Sequence, residues 1–258
     1  MTNRTHENPS FVPRSLDGRV ALVTGGGKRL GRAIALGLAA DGADVIVHYK
    51  RSEDAASEVA REIESLGRRA WALSADLSDP SSTDRLIAEA IRAADGVDIL
   101  INNASAFPED RLKNATPAAI ASSVQVHAVA PLQLARAMAR QDRPGHVVNL
   151  LDSRVTDYDA AHASYHLGKR LLYTLTRALA LELAPAVTVN GVGPGLILPP
   201  PGKDERYLRE MAHTNPMNRH GGAEDIVEAV LYLLRSRFIT GQVIFVDGGR
   251  HMKGRVYD

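Results

Sequence analysis

The chain has 258 residues, of which 45% are hydrophobic and 24% charged, a composition typical of a globular protein with one large core or two small ones. Its 31 basic and 30 acidic residues nearly cancel, so net charge gives no reason to expect a nucleic-acid or membrane partner. There is no cysteine, which excludes disulfides, thiolate catalysis and cysteine-ligated metals, and we expect no metal site.

The N-terminal segment, MTNRTHENPSFVPRSLD, is polar, contains two prolines and has no apolar stretch like the core of a signal peptide. We therefore predict a flexible tail over residues 1–17 and one domain over residues 18–258. No apolar run approaches the ~18 residues that span a bilayer, and the expected location is the cytoplasm.

From Arg19 onward, short β-branched runs alternate with Ala/Leu-rich helical stretches. The predicted strands are VALVTG, DVIVHY, RAWALSAD, VDILINNAS, HVVNLLD, VTVNGVGPG and GQVIFVDGG. The predicted helices span about 30–41, 52–66 and 81–94, then one ends near 134, one near 183, and the last covers about 224–235. Single helices between strands require crossovers, so we predict an α/β fold, a Rossmann-type doubly wound parallel sheet with helices on both faces. Such sheets bind ligands at the carboxyl ends of their strands.

One segment, LILPPPGKDERY at residues 196–207, fits neither pattern. Three consecutive prolines cannot lie inside a helix, so we predict a loop. Because it follows a strand end, we expect residues 195–222 to form a lid over the substrate.

At the end of the first strand, TGGGKRLG (residues 24–31) opens directly into a helix. Glycines let the backbone approach a diphosphate, and the helix N-terminus offers unpaired N–H groups and a favourable dipole. A plain glycine turn is the alternative, but the order strand, turn, helix favours a dinucleotide site.

The second strand ends in VHYKRS, residues 47–52. An acid near this point would hold the ribose 2′-hydroxyl of NAD, whereas NADP requires cations. Lys50 and Arg51 can bind a 2′-phosphate, and Ser52 can donate a hydrogen bond as well. A solvated surface pair is the alternative, but the position favours NADP.

Four motifs in order, TGGGKRLG, NNAS, YHLGK and PG, make residues 18–250 resemble the short-chain dehydrogenase/reductase superfamily. That resemblance implies a homotetramer built on helices around residues 115–140 and 160–183. It also implies cofactor contacts at Gly25, Lys28, Arg29, Leu30, His48, Tyr49, Lys50, Arg51, Ser52, Asp76, Leu77, Asn103, Ala104, Ser105, Tyr165, Lys169, Pro194, Gly195 and Ile197.

In that superfamily the Tyr and Lys of a Tyr-x-x-x-Lys motif lie beside the nicotinamide, and here they are Tyr165 and Lys169. Residues four apart share one helix face. An ammonium group near a phenol lowers a pKa that is ordinarily about 10, so Tyr165 is expected to deliver a proton near neutrality. Lys169 would also hold the nicotinamide ribose. A surface pair is the alternative that the motif order disfavours.

Asp152 follows the buried run HVVNLL, at a position where most of the superfamily has a Ser that binds the substrate carbonyl. The neighbouring Ser153 would point to the other face of the strand. An ionised carboxylate only accepts hydrogen bonds, so it suits a ring with N–H and amino donors, or one that is protonated on nitrogen. Pteridines offer both. The alternative is that Asp152 caps a turn or pairs with Arg154.

Further details resemble the pteridine reductases, especially the bacterial dihydromonapterin reductases. These share the Asp, have Arg at the middle glycine of the first motif, here Arg29, and continue NNAS with an aromatic residue, here Phe107. Phe107 would stack on the pteridine, and Ser105 could reach the ring or a cofactor phosphate. Alternatively, Phe107 belongs to the core and Arg29 is a solvent-exposed helix residue. His127 replaces the Asn that anchors a relay water in most relatives, and it could still hold that water.

We therefore predict an NADPH-dependent reductase of dihydromonapterin, dihydrobiopterin or dihydrofolate, with catalytic residues Asp152, Tyr165 and Lys169. The substrate contacts would be Arg29, Ser105, Phe107, Asp152 and Tyr165. A carbonyl or 3-oxoacyl-thioester reductase is the nearest alternative, disfavoured by Asp152, and a non-catalytic NADP-sensing protein is a lesser one.

Overall fold

Each predicted apolar run forms a strand. The computed structural model describes residues 15–157, 160–200 and 202–253. Its strands are β1 (Val20–Val23), β2 (Asp44–Tyr49), β3 (Ala70–Ser74), β4 (Ile99–Asn102), β5 (Gly145–Leu150), β6 (Val187–Pro194) and β7 (Val243–Val246). They pair in parallel in the order β3-β2-β1-β4-β5-β6-β7. The order reverses between β1 and β4, and at such a switch point the strand ends open a crevice for ligands.

The helices between the strands cover both faces of the sheet. They are α1 (Arg29–Ala40), α2 (Glu53–Ser65), α3 (Pro80–Ala94), α4 (Pro117–Val124), α5 (Ala130–Ala139), α6 (Ala163–Leu183), α7 (Glu205–Glu210) and α8 (Ala223–Arg235). Short 3₁₀ turns follow at Ala212–Thr214 and Arg250–Met252. One core lies under α1, α2 and α8, and a second lies under α3, α5 and α6. The predicted Rossmann-type fold is confirmed.

The long helix predicted after β4 is not continuous. A π-helical turn, Gln125–Val129, separates α4 from α5, and α5 ends at Ala139 rather than near residue 134. A single π turn adds one residue without changing the apolar pattern on either side, so the periodicity of the sequence cannot show it.

The predicted loop at residues 196–207 is wrong at its C-terminal end, where α7 begins at Glu205. Asp204 caps this helix by accepting a hydrogen bond from the Arg206 N–H at 3.0 Å. Pro201, in the middle of the segment, lies outside the described residues. The predicted lid at 195–222 is therefore part loop and part short helix.

The predicted tail boundary at residue 17 is too late. Leu16 is buried, and its N–H donates to the Asp41 carbonyl at 2.8 Å. Asp17 forms an ion pair with Arg68 at 3.0 Å. Ordered contacts therefore begin before the predicted domain start at residue 18, and residues 1–14 lie outside the described part of the chain.

By length and composition, one helical run in the described residues, Pro117–Ala139, could cross a membrane, which the sequence analysis did not anticipate. Leu134 and Met138 of this run are buried in the core under the sheet. Packing inside the fold therefore accounts for part of the apolar composition of this run, since 39% of its most apolar window is buried.

Candidate active site

The turn between β1 and α1 is shaped for a close backbone approach. Gly25 and Arg29 both have positive φ angles, +63° and +53°. A Cβ on Gly31 would lie 2.1 Å from the Gly25 carbonyl oxygen, so no other residue fits there. The N-cap residue Lys28 makes no side-chain cap and the first turn of α1 has no acid, which leaves its N–H groups available to an anion. The turn therefore fits a diphosphate.

Two predicted cofactor residues support this turn from inside the protein. His48 is buried, accepts a hydrogen bond from the Gly25 N–H at 3.1 Å, and donates from Nε2 to the Ala75 carbonyl at 3.1 Å. Burial lowers the pKa of His48 to about 4, so the ring is neutral. The Asn103 amide donates to the carbonyls of Thr24 and Gly25 at 2.9 and 3.2 Å. Both side chains hold the shape of the turn.

Two cationic side chains, Lys50 and Arg51, follow β2 and differ in whether they form an ion pair. Lys50 Nζ is paired with Asp76 Oδ2 at 2.8 Å. Hydrogen bonds from Lys50 and Ser78 lower the pKa of Asp76 to about 2. Arg51 is exposed and forms no ion pair with any described residue, and Ser52 starts α2 without a side-chain cap. Of Lys50 and Arg51, Arg51 is thus the one without an ion pair to a described residue. Two other predicted cofactor residues are less exposed: Tyr49 is half-buried and Leu77 is buried.

The structure brings Asp152, Tyr165 and Lys169 together at the ends of β5 and α6. The Tyr165 hydroxyl donates to Asp152 Oδ2 at 2.8 Å, and the other carboxylate oxygen accepts from the Arg154 N–H at 2.8 Å. Asp152 therefore caps a turn and also binds the phenol. The neighbouring Ser153 is buried, and the Tyr165 hydroxyl donates to Asp152.

Lys169 is 3% exposed and donates from Nζ to the Leu150 carbonyl at 2.5 Å. Its Nζ lies 5.8 Å from the centre of the Tyr165 ring. Burial lowers the pKa of Lys169 to about 8, and the charge of Asp152 opposes that shift. At neutral pH Lys169 is therefore a buried ammonium beside the Tyr165 ring, and the charge of Asp152 partly compensates it.

Phe107 forms one wall beside these groups and is not a core residue, since 52% of it is exposed. Its ring meets Tyr165 edge-on, with centroids 4.7 Å apart, and stacks on His162 at 3.7 Å. His162 Nδ1 also lies 2.9 Å from the Pro108 carbonyl. Sequence analysis missed His162, which is the N-cap residue just before α6 and meets Phe107 only in the folded chain, so no local pattern pointed to it.

His127 is 1% exposed, and both of its ring nitrogens have partners in the protein. Nδ1 lies 2.9 Å from the Ser123 carbonyl, and Nε2 accepts from the Ala106 N–H at 3.2 Å. Nε2 is also 3.1 Å from the Ser105 hydroxyl. The predicted relay water would therefore have to compete with these protein groups for the two ring nitrogens of His127.

Arg29 reaches from the glycine turn to the predicted lid, because its Nη2 donates to the Pro199 carbonyl at 2.6 Å. Beyond the lid's first residues, a cavity of about 520 Å³ opens at the ends of β6 and β7. Leu196 and Ile197 line it, but Asp152, Tyr165 and Lys169 do not. Pro194 and Gly195 lead into the lid, with the Gly195 N–H bonded to the Val246 carbonyl at 3.0 Å. Within the described ranges, no three His, Asp or Glu side chains lie close enough to hold a metal ion.

Comparison with known proteins gives a consistent set of relatives. A family model described as Enoyl-(Acyl carrier protein) reductase matches residues 27–251. Versicolorin reductase 1 of Aspergillus parasiticus is 34% identical over 253 residues, which cover 91% of this chain and 97% of that protein. Dihydromonapterin reductase of Shigella boydii is 30% identical over 237 residues, 90% of this chain and 96% of that protein. The crystal structure of FolM alternative dihydrofolate reductase 1 from Brucella canis, complexed with NADP, superposes with a TM-score of 0.87 at 34% identity, covering 94% and 98% of the two chains.

Proposed function

The chain belongs to the short-chain dehydrogenase/reductase superfamily and is an NADP-dependent oxidoreductase, and we propose that it reduces a dihydropteridine to the tetrahydro form. The candidate substrates are dihydromonapterin, dihydrobiopterin and dihydrofolate. One observation carries the proposal: a carboxylate, Asp152, receives the hydrogen bond of the catalytic phenol at 2.8 Å.

A simple carbonyl substrate is poorly served by this arrangement. A carbonyl oxygen needs donors, but Asp152 only accepts hydrogen bonds and keeps the Tyr165 hydroxyl occupied. A substrate that brings its own N–H and amino donors can replace Tyr165 as the partner of the carboxylate. The phenol is then free to turn toward the reacting nitrogen. Pteridine rings carry donors of this kind, so the pair of residues selects for them.

The proton step follows from the same residues. NADPH, when bound, would supply a hydride for the carbon of a ring C=N bond. Tyr165 would donate its phenolic proton to the nitrogen of that bond, so that one C–H and one N–H bond form while the C=N π bond, the C–H bond of the hydride donor and the phenolic O–H bond break. The buried ammonium of Lys169 stabilises the phenolate left behind, and solvent restores the proton.

Other contacts support binding of the two reactants. The glycine turn and the first turn of α1 would hold the diphosphate, and Arg51 would bind the 2′-phosphate. The exposed part of Phe107 offers a surface on which a flat heterocycle can stack. Arg29, already bonded to the lid, would position the ring between turn and lid. Residues 195–222 would close over it.

A reductase of carbonyl or 3-oxoacyl groups remains the second candidate. It is favoured by relatives such as versicolorin reductase 1, which are named for other substrates at 34% identity. In that case Tyr165 would have to leave Asp152 and hold the substrate oxygen alone.

The proposed assembly is a homotetramer built on α4, α5 and α6. Leu167 and Leu171 lie one turn apart on α6 and are 40% and 37% exposed. Leucines exposed together on one helix face are typical of a surface that packs against another subunit.

The deciding experiment is NADPH oxidation by the purified protein with each of the three dihydropteridines, beside an acetoacetyl thioester. Turnover of a pteridine without turnover of the thioester supports the proposal. Turnover of the thioester alone refutes it and favours the second candidate. If the wild type reduces a pteridine, the variant Asp152→Ser, which restores the residue common in the superfamily, should shift the substrate preference from the pteridine toward the thioester.

A further inference from the structure

We infer that His127 is a positioning residue, which fixes the segment Ser105–Phe107 against the catalytic helix and takes no part in proton relay. This inference rests on the proposed function only for its kinetic test. The His127 ring lies between the segment that carries Phe107 and helix α6, which carries Tyr165. The His127 and Tyr165 rings meet edge-on with centroids 5.2 Å apart.

The hydrogen bonds of His127 determine its tautomer. Nε2 faces the backbone N–H of Ala106, which can only donate, so Nε2 must carry the lone pair. The Ser105 hydroxyl, 3.1 Å from the same nitrogen, can donate to it as well. The single ring proton is therefore on Nδ1, which lies 2.9 Å from the Ser123 carbonyl oxygen and 3.1 Å from the Ser123 hydroxyl oxygen, and both of these can accept it. No proton of the ring is available to a water or to the substrate.

The surroundings keep His127 neutral. Burial and the nearby ammonium of Lys169 lower the pKa of His127 to about 3. A histidine that stays neutral throughout the physiological range cannot alternate between protonated and unprotonated forms, as a relay group does. Its fixed lone pair is instead suited to holding two donors in place.

The chain provides space for an imidazole at this point. A Cβ on Gly168, inside the Tyr165–Lys169 motif, would lie 3.0 Å from both the Cβ and Nδ1 of His127. The π turn at Gln125–Val129 carries His127 itself. At the other end of the segment, His162 stacks on Phe107 and contacts the Pro108 carbonyl. The wall at Phe107 is thus held from two sides, and His127 holds the Ser105 side.

Two substitutions of His127 separate positioning from relay. The side-chain oxygen of Gln reaches about as far as Nε2 of His, whereas that of Asn reaches only about as far as Nδ1. If His127 positions the segment, His127→Asn should raise the KM for the dihydropteridine roughly tenfold, as expected for the loss of one or two hydrogen bonds. His127→Gln should recover most of that loss, and the pH profile of kcat should stay unchanged in both variants.

A relay role, or the water-anchoring role of the usual Asn, predicts the reverse. His127→Asn would then be the better enzyme, or kcat would fall with a shifted pH profile and an unchanged KM, and either result overturns the inference. The variant Gly168→Ala keeps the imidazole but displaces it, so it should raise KM like His127→Asn. His146→Asn is the control, since His146 is a half-buried histidine whose pKa is also lowered and whose Nδ1 is bonded to Thr188 away from the site.

Hydrogen exchange tests the same inference without any substrate. In peptides that cover Ala106, deuterium uptake should be faster in His127→Asn than in the wild type and close to wild type in His127→Gln. Equal uptake in all three proteins overturns the inference. If the wild type reduces no pteridine, the proposed function fails, but the exchange measurement still decides the role of His127.

Discussion

The substitution Asp152→Asn tests the central feature of the site. Asn keeps one oxygen for the Arg154 N–H, so the turn after β5 should persist. The charge-assisted bond that a ring N–H would donate to the carboxylate, in place of the Tyr165 hydroxyl that lies 2.8 Å from it, is lost. Hydrogen bonds to charged groups contribute about 1.5–3 kcal/mol, which corresponds to a loss of roughly ten- to a hundredfold in kcat/KM for the dihydropteridine. Lys169 also loses the charge that opposes the lowering of its pKa.

The assay is NADPH oxidation with the dihydropteridine that the wild type reduces best. Asp79→Asn serves as the control, because Asp79 accepts a hydrogen bond from the N–H two residues later, at 2.9 Å, in the same way but at the start of α3. A wild-type kcat/KM in Asp152→Asn, with the control also active, would show that the carboxylate does not bind the substrate ring. The reasoning from donors and acceptors would then be refuted.

Tyr165→Phe should abolish turnover while NADPH affinity, measured by fluorescence titration, stays close to that of the wild type; full activity would remove Tyr165 from the proton step. Because burial lowers the pKa of Lys169 to about 8, kcat/KM should fall above that pH, and Lys169→Arg should move the fall to higher pH in the same profile. Since the unfolded chain binds the lysine proton more tightly, the free energy of unfolding should rise between about pH 8 and 10.5, as urea titrations at several pH values would show. Arg51→Glu should raise the KM for NADPH far more than that for NADH, whereas Lys50→Ala, whose cation is already paired, should do so less; equal effects on both dinucleotides would exclude Arg51 from the phosphate site. Leu171→Glu should lower the mass measured by light scattering below that of the wild-type assembly, and an unchanged mass would place the subunit interface elsewhere.

The fold was predictable because strands buried on both faces leave an unbroken apolar signal. All four residues of β1 and of β4 are buried, and each strand is followed by a helix of ordinary length. The candidate catalytic groups were also placed by sequence, since the spacing of Tyr165 and Lys169 is local to one helix. Their closeness to Asp152 follows because α6 comes next after β5 in the chain and its first turns lie beside the end of that strand.

What the sequence did not show depends on contacts between distant segments. The stacking of Phe107 on His162 joins the loop after β4 to the start of α6. The bonds of His127 depend on a π turn that has no periodic signature and on the missing side chain of Gly168. Likewise, Leu16 is buried in the core under α1, α2 and α8, and its N–H donates to the Asp41 carbonyl at the end of α1. Such contacts arise from the assembled sheet and not from any local pattern.

At the cofactor end of the sheet, the residues that shape the glycine turn differ in burial from those expected to bind the 2′-phosphate, and this difference affects how such a protein can evolve. The glycine turn is fixed by Gly31, which admits no side chain, and by the inward hydrogen bonds of His48 and Asn103. Arg51 and Ser52 extend from the end of β2, and Arg51 has no ion-pair partner among the described residues. Replacing them would remove few internal contacts. Substitutions at these two positions can therefore change the preferred dinucleotide at little cost in stability. The glycine turn, and with it the proposed diphosphate site, should persist as long as the fold does.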